Sequence, residues 1–202
     1  MISSASRATT IAPVLPARSA SSGDLRALGI AQRDEDPLLG KPSVEFTLPT
    51  EARAARQVVA RLRATAAEVR RIHSFRGGMG LAAPQIGVGR RAAIVCTPDA
   101  RGPIVLLNPR VVDRSAADDV RFEGCLSFFD VRGRVRRPVH LVVEDQAWDG
   151  TPRTTRFNGS LARLVAHEID HLDGVLYCDL MAATDRLIPV EDYRATEAAG
   201  NY

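Results

Sequence analysis

The pattern of apolar and polar positions divides the chain into two amphipathic segments with short apolar runs between them. In the first segment, apolar residues recur at helical spacing, and arginine and glutamate fill much of the opposite face. These apolar residues are Val58, Leu62, Ala66, Val69 and Ile72. The spacing predicts an N-terminal amphipathic helix that begins after Thr50 and ends near Ser74.

Three apolar runs in the middle of the chain predict β-strands, at residues 92–96, 104–107 and 139–143. The third run is followed by Asp149-Gly150 and then by a polar run over residues 153–157. Because Asp-Gly favours the positive φ angles of a tight hairpin turn, we expect antiparallel pairing here.

The second amphipathic segment extends from Ser160 to Leu172 and is followed by Gly174, a typical C-cap residue. It predicts a second helix. Helices that are kept apart from antiparallel strands indicate the α+β fold class.

Composition fits a single globular domain with tails. The chain has 202 residues and a formal net charge of +3, with Lys41 as its only lysine. No basic block with interleaved aromatics is present, so we expect no specific nucleic-acid partner. No apolar stretch approaches the length of a membrane span, so we expect no membrane partner.

Three scattered cysteines are too few for a disulfide framework, which favours a reducing compartment and a cytoplasmic location. Residues 1–28 are rich in serine, alanine and arginine, and residues 1–23 contain no acid; we expect a disordered tail. Organellar import by this tail is the alternative reading of the same composition.

The second predicted helix carries His167, Glu168 and His171 in the pattern HExxH. Residues four apart share one helical face, so both histidines can bind one metal ion, with the glutamate beside it as a proton carrier. A catalytic site needs a third protein ligand and an open position. Cys125 is a candidate, although a lone buried cysteine is more often a small core residue.

Three segments together resemble the signature motifs of the peptide deformylase family. They are the stretch GMGLAAPQIG at residues 78–87, EGCLS at residues 123–127 and HEIDHLDG at residues 167–174. The resemblance implies antiparallel sheets packed around a central helix that carries HExxH. It also implies a catalytic domain over residues 29–185, followed by a C-terminal tail or short helix over residues 186–202.

The resemblance implies a role for each matching residue. The metal ligands would be Cys125, His167 and His171, holding one Fe²⁺ ion for which Zn²⁺, Ni²⁺ or Co²⁺ can substitute. Glu168 would move the proton, and the side-chain amide of Gln85 and the backbone N–H of Leu126 would stabilise the oxyanion. The residues expected to contact substrate are Met79, Gly80, Glu123, Gly124 and Arg132.

The implied reaction is removal of the N-formyl group from the N-terminal methionine of nascent polypeptides, with release of formate. The resemblance also allows a transient association with the ribosome. Phe128 and Phe129 stand where the family has an aliphatic residue and proline, and Arg163 should line the approach to the metal. These departures motivate one alternative, the same chemistry on a small N-formyl or N-acyl compound. Two alternatives of another class are an HExxH endopeptidase and a non-catalytic homologue.

Overall fold

A computed structural model describes residues 20–98 and 102–196 of the chain. The helices are α1 Ser22–Ala27, α2 Ala52–Ile72, α3 Gly159–Asp173 and α4 Val190–Arg194. The strands are β1 Met79–Ala82, β2 Ala92–Cys96, β3 Ile104–Leu107, β4 Arg110–Arg114, β5 Asp118–Cys125, β6 Phe128–Pro138, β7 His140–Gln146, β8 Pro152–Asn158 and β9 Ile188–Pro189.

The strands form three antiparallel sheets of three strands each, in the orders β1-β2-β3, β4-β7-β8 and β5-β6-β9. The expected mixed architecture of helices and antiparallel sheets is therefore confirmed. The hairpin between β7 and β8 turns through Gly150, whose φ of 85° is the positive value expected of Asp-Gly.

Helix α2 packs one face against the first sheet. Its buried residues follow the helical spacing read from the sequence: Ala55, Val58, Val59, Leu62, Ala66 and Val69. The N-cap is Glu51 rather than Thr50, and Ile72 at the other end is 38% exposed. The apolar stripe therefore ends one turn before the helix does.

Helix α3 is covered on most of its surface, because β1 and β2 lie along it and β6, β7 and β8 contact it as well. It ends at Gly174, which has a φ of 75°. A Cβ at this position would also lie 2.7 Å from the backbone of Lys41. Glycine is thus favoured here both by backbone conformation and by the close approach of another segment.

The long hairpin of β5 and β6 brings Cys125 close to α3. The register runs from Asp118 opposite Pro138 to Cys125 opposite Phe128, with an irregularity between Glu123 and Cys125. The metal-ligand candidate therefore lies at the closed end of the hairpin, where its position is set by the turn as well as by the strand.

Helix α1 lies within residues 1–28, the segment predicted to be a tail. Helix α1 starts with a capping box between Ser21 and Asp24, and its Leu25 is fully buried. Residues 1–19 of the tail predicted over residues 1–28 lie outside the described residues. At the other end, helix α4 lies within residues 186–202, the segment predicted to be a tail or a short helix.

Within the described residues, no helix combines the length and the apolar character that crossing a bilayer requires.

Candidate metal centre and active site

The three predicted metal ligands lie together. Ligand atoms of Cys125, His167 and His171 are all within 4.8 Å of one another, and all three residues are buried. Cys125 Sγ is 3.1 Å from His171 Nε2. A thiol and two imidazoles form a donor set that both iron and zinc accept, so the residues fit the expected metal.

The surroundings of Cys125 favour its thiolate. Burial by itself raises the pKa of the thiol, but the neighbouring His171 and His167 lower the pKa to about 5. Since the thiolate is the form that binds metals, the two histidines both complete the donor set and prepare the third donor.

Glu168 lies beside this triad with its side chain buried at 2% exposure. Burial raises the pKa of its carboxyl group to about 7. Among the described residues, its Oε2 atom has no hydrogen-bond partner. A buried carboxylate with an unused oxygen and a pKa near neutrality has the properties of a general acid or base.

Space for Glu168 is provided by a glycine on β1. A Cβ built on Gly80 would lie 2.1 Å from Glu168 Oε1 and 2.3 Å from its Cδ. The sequence predicted that Gly80 allows a substrate to approach; the structure gives it a second reason, which is room for the glutamate.

The two predicted oxyanion donors, Gln85 and the backbone of Leu126, line the same cavity as the candidate ligand Cys125. Gln85 is buried, and its Oε1 accepts from the backbone N–H of Ala82 at 2.9 Å, which fixes the orientation of the amide. Its Nε2 is 3.6 Å from Cys125 Sγ and 3.3 Å from Ser127 Oγ. Leu126 directly follows Cys125, so its backbone N–H is held close to the same centre.

Glu123 is the centre of a buried ion network. It accepts from Arg137 Nε and Nη2, each at 2.9 Å, and from Arg163 Nη1 at 2.7 Å. Its Oε2 lies 3.0 Å from His167 Nδ1. Burial raises the pKa of Glu123, yet the bonds from Arg137 and His167 outweigh burial and hold the pKa well below its ordinary value.

The two arginines of this network are anchored to a second carboxylate as well. Arg137 pairs with Asp170 on α3, and Arg163 pairs with Asp119 on β5. Both arginines are buried at about 5% exposure, so neither is a solvated surface charge.

A cavity of about 460 Å³ opens above the triad. Every residue expected to contact substrate lines it: Met79, Gly80, Glu123, Gly124 and Arg132. The Arg132 guanidinium lies 5.1 Å from the centroid of the Phe129 ring, and its Nη1 donates to the carbonyl of Phe129 at 2.7 Å.

Residues from distant parts of the chain complete the cavity and were not found by reading the sequence. They are His73 and Phe75 after α2, and Val190, Tyr193 and Arg194 on α4. None belongs to a motif, and the pairing of β9 with β6, together with packing of Tyr193 on Phe122, places α4 here.

A buried thiol and two histidines next to a buried glutamate, at the base of a cavity, define a metal-dependent hydrolase site. Residues 30–187 match the family model described as polypeptide deformylase, and the chain belongs to that family. It is an amide hydrolase that depends on a metal and removes the N-formyl group from nascent peptides.

Individual relatives agree with this membership. The peptide deformylase of Dictyoglomus thermophilum is 38% identical over 132 residues, which is 65% of this chain and 84% of that protein. Peptide deformylase 1 of Bacillus subtilis is 48% identical over 100 residues, 50% of this chain and 62% of that protein. The crystal structure of the Thermotoga maritima peptide deformylase matches with a TM-score of 0.65 at 29% identity, covering 76% of this chain and 96% of that one.

Proposed function

We propose that Cys125, His167 and His171 hold one Fe²⁺ ion and that Glu168 carries the proton when the formyl group is removed from the N-terminal methionine of nascent chains. The observation that carries this proposal is the buried carboxylate of Glu168, with an unpartnered oxygen, beside three clustered ligand atoms. When bound, a divalent ion in this site acts as a Lewis acid and promotes the ionisation of water.

Glu168 is suited to accept a proton and to return it. Burial raises the pKa of its carboxyl group towards neutrality, which favours a group that can both accept and return a proton. The proton leaves the attacking water and ends on the amine nitrogen as the C–N bond of the formamide breaks. Because Glu168 is buried, exchange of this proton with bulk water is restricted.

The oxyanion that develops on the formyl oxygen needs donors that are already in place. The Nε2 of Gln85 is such a donor, since its Oε1 bond to Ala82 sets which end of the amide faces the centre. The backbone N–H of Leu126 is the second donor. Both come from segments whose backbone is fixed by the adjacent β1 and β5.

The carboxylate of Glu123 positions a metal ligand. When the Glu123 carboxylate accepts a hydrogen bond from His167 Nδ1, the Nε2 of His167 is left unprotonated and able to bind the metal. Arg137 and Arg163 hold the carboxylate in place. This role differs from the contact with substrate that was expected of Glu123. Both carboxylate oxygens of Glu123 already have hydrogen-bond partners within the protein.

The peptide substrate is proposed to lie along β1. Among the described strands, β1 pairs with β2 alone, so its second edge is available for an added strand at Met79 and Gly80. Gly124 and Arg132 line the same cavity. A related peptide deformylase of Acinetobacter baumannii has been crystallised with Met-Ala-Ser bound; that structure has a TM-score of 0.66 at 30% identity and covers 75% of this chain and 96% of that one.

The setting of the reaction follows from this substrate. Nascent chains are made on ribosomes, so we propose transient contact with the ribosome and action in the cytoplasm.

The packing of β1, β2 and β8 on α3 supports α3 as the central helix, which carries His167 and His171 to the end of the substrate chain.

A second candidate keeps this chemistry and acts on a small N-formyl or N-acyl compound. Phe129, which departs from the family motif, lines the cavity and would reshape it, and this favours the second candidate. Arg163 gives it less support, because its charge is paired with Glu123 and Asp119. An endopeptidase is less consistent with the site, since it gives no role to Cys125.

The deciding experiment measures formate release from formyl-Met-Ala by anaerobically purified, iron-loaded protein. We expect turnover by the wild type, a loss of several orders of magnitude in Glu168→Ala with the metal retained, and normal turnover in Glu45→Ala, which changes an exposed glutamate. Absence of turnover with formyl-methionyl peptides but release of formate from other formylated amines would support the second candidate. Cleavage of unformylated peptides would support the endopeptidase.

A further inference from the structure

Helix α2 carries more positive charge than the chain as a whole. Its 21 residues include six arginines and one glutamate, a formal charge of +5, whereas the chain of 202 residues has a formal net charge of +3. All six arginines are exposed: Arg53, Arg56, Arg61, Arg63, Arg70 and Arg71. The positive net charge of the chain is therefore concentrated on one element.

Three of these arginines are aligned along one side of the helix. Arg56, Arg63 and Arg70 are seven residues apart. This spacing is within about 20° of two full turns and corresponds to about 10.5 Å along the helix axis. Arg53 lies about one turn before Arg56. We call these four residues the basic face of α2; together they span about 25 Å.

The charges of the basic face are not neutralised within the described part of the chain. The single glutamate of the helix, Glu68, pairs with Arg71, which lies outside this face. The Arg56 guanidinium lies 4.5 Å from the centroid of the Trp148 ring, a contact that orients the cation and leaves its charge in place. Among the described residues, no carboxylate lies within ion-pair distance of the other three arginines of the face.

The basic face ends beside the cavity. Residues 73–78, which directly follow α2, line the cavity. Arg70 and Arg63 are also close to the end of β2, because their charges oppose the rise that burial causes in the pKa of the Cys96 thiol. Cys96 is opposite Met79 of β1, which lines the cavity as well. A partner bound along α2 would therefore lie next to the cavity.

The chemistry of this face suits phosphates better than lipid. A helix that lies on a membrane buries apolar side chains in the lipid, whereas the apolar side of α2 already packs against the first sheet. Between the aligned arginines are the small exposed residues Ala60 and Ala67, so a broad surface can approach the helix. A guanidinium group binds phosphate with two parallel hydrogen bonds. A nucleic-acid duplex presents many phosphates over about 25 Å of its axis.

We infer that the basic face of α2 is a docking surface for the phosphate backbone of structured RNA, namely that of the ribosome. This inference rests on the proposed function, because it names the surface that makes the proposed contact with the ribosome. Contacts with phosphates do not read sequence, so the inference agrees with the lack of a motif for specific nucleic-acid binding. The face is separate from the metal ligands, so RNA binding and turnover can be measured independently.

The test measures binding of full-length, metal-loaded protein to RNA. Anisotropy follows a fluorescent RNA duplex of about 16 base pairs, and cosedimentation follows purified ribosomes. We expect binding to weaken as salt rises from about 50 to 200 mM, because about three or four phosphates are contacted. The expected slope of log K against log salt is about −3, to which each arginine that binds a phosphate contributes about one unit.

Variants separate this face from charge in general. Arg63→Gln/Arg70→Gln should make the slope shallower by about two units and weaken duplex binding about tenfold. Arg114→Gln/Arg136→Gln removes the same charge from exposed positions on β4 and β6 and should bind RNA much as the wild type does. Glu68→Gln removes the only acid of the helix and should tighten binding. Formate release from formyl-Met-Ala should be unchanged in all three variants.

No binding of duplex or ribosomes by the wild type at about 50 mM salt, or equal losses in the two double variants, would overturn the inference. Binding of vesicles that contain phosphatidylserine, lost in Arg63→Gln/Arg70→Gln and without any RNA binding, would overturn it in favour of a membrane surface. RNA binding needs no turnover. Missing formate release by the wild type therefore refutes the proposed function, whereas normal release without RNA binding refutes only the docking surface.

Discussion

Replacing Gly80 with alanine should remove most of the activity without removing the metal. The added methyl group would lie 2.1 Å from Glu168 Oε1, whereas ordinary contacts begin near 3.4 Å, so the carboxylate must withdraw by about 1.3 Å. Displacement of a catalytic group by about 1 Å can lower the rate about 100-fold. We therefore expect kcat to fall by about 100-fold in Gly80→Ala.

The assay separates the two reasons for a glycine at this position. Formate release is measured over a range of formyl-Met-Ala concentrations, and bound metal is quantified in the same samples. If Gly80 acts through Glu168, kcat falls and the metal content stays at one ion per chain. If Gly80 only allows the peptide to approach β1, KM rises and kcat is retained.

Gly40→Ala is the matched control, since nothing lies within 4 Å of a Cβ at that position. Crowding in the buried site should also lower the stability of Gly80→Ala by about 1–3 kcal/mol, so its folded state is verified by thermal unfolding. A kcat close to that of the wild type, in a folded and metal-loaded variant, would show that Glu168 does not require this space.

Three further results are expected from the structure. Chelation should lower the melting temperature, because a ligand at about 100 times its Kd stabilises the folded state by about 2.7 kcal/mol; an unchanged melting temperature would contradict binding at the triad. Glu123→Gln should weaken metal affinity by about 10–100-fold in competition with a chelator, since His167 loses an anionic partner, and unaltered affinity would exclude that positioning role. Leu25→Ala should cost about 2–5 kcal/mol in denaturant unfolding if α1 belongs to the fold, whereas a change below about 0.5 kcal/mol would place it in the tail.

The elements predicted from the sequence are those with an apolar run or a clear terminator. Strands β2 and β3 have the bounds expected of them, because every side chain in those runs is buried or half-buried. Helix α3 ends where Gly174 indicated. In each of these elements the buried positions carry apolar residues, so the spacing of apolar residues in the sequence predicts the element.

Strands β5 and β6 were not predicted from apolar periodicity, because charged residues occupy some of their inward positions. Glu123 and Arg137 face the interior, where a strand pattern would lead one to expect apolar side chains. The hairpin therefore reads as an irregular polar segment. Its contribution to the site was recovered only from the resemblance of residues 123–127 to a known motif.

Some residues of the candidate site could be predicted from a local pattern and others could not. His167 and His171 follow from helical spacing alone, whereas the placing of Cys125 beside them depends on packing of the β5–β6 hairpin against α3, which is distant in sequence. The wall contributed by α4 has no local signal, since β9 is only two residues long. Contacts of this kind are set by tertiary packing, which a pattern in one segment does not contain.

The buried network around Glu123 is better explained by positioning than by stability. Burying ion pairs carries a desolvation penalty that their attraction often fails to exceed, so apolar residues of similar volume would serve stability equally well. Here, however, Arg137 joins Glu123 on β5 to Asp170 on α3, and Arg163 on α3 returns to Glu123 and Asp119. The hairpin that carries Cys125 is thereby fixed to the helix that carries both histidines. Apolar packing is not directional and would allow the two elements to slide, whereas these bonds fix the distance between the ligands. We therefore expect these ion pairs to hold the three proposed ligands in position relative to one another.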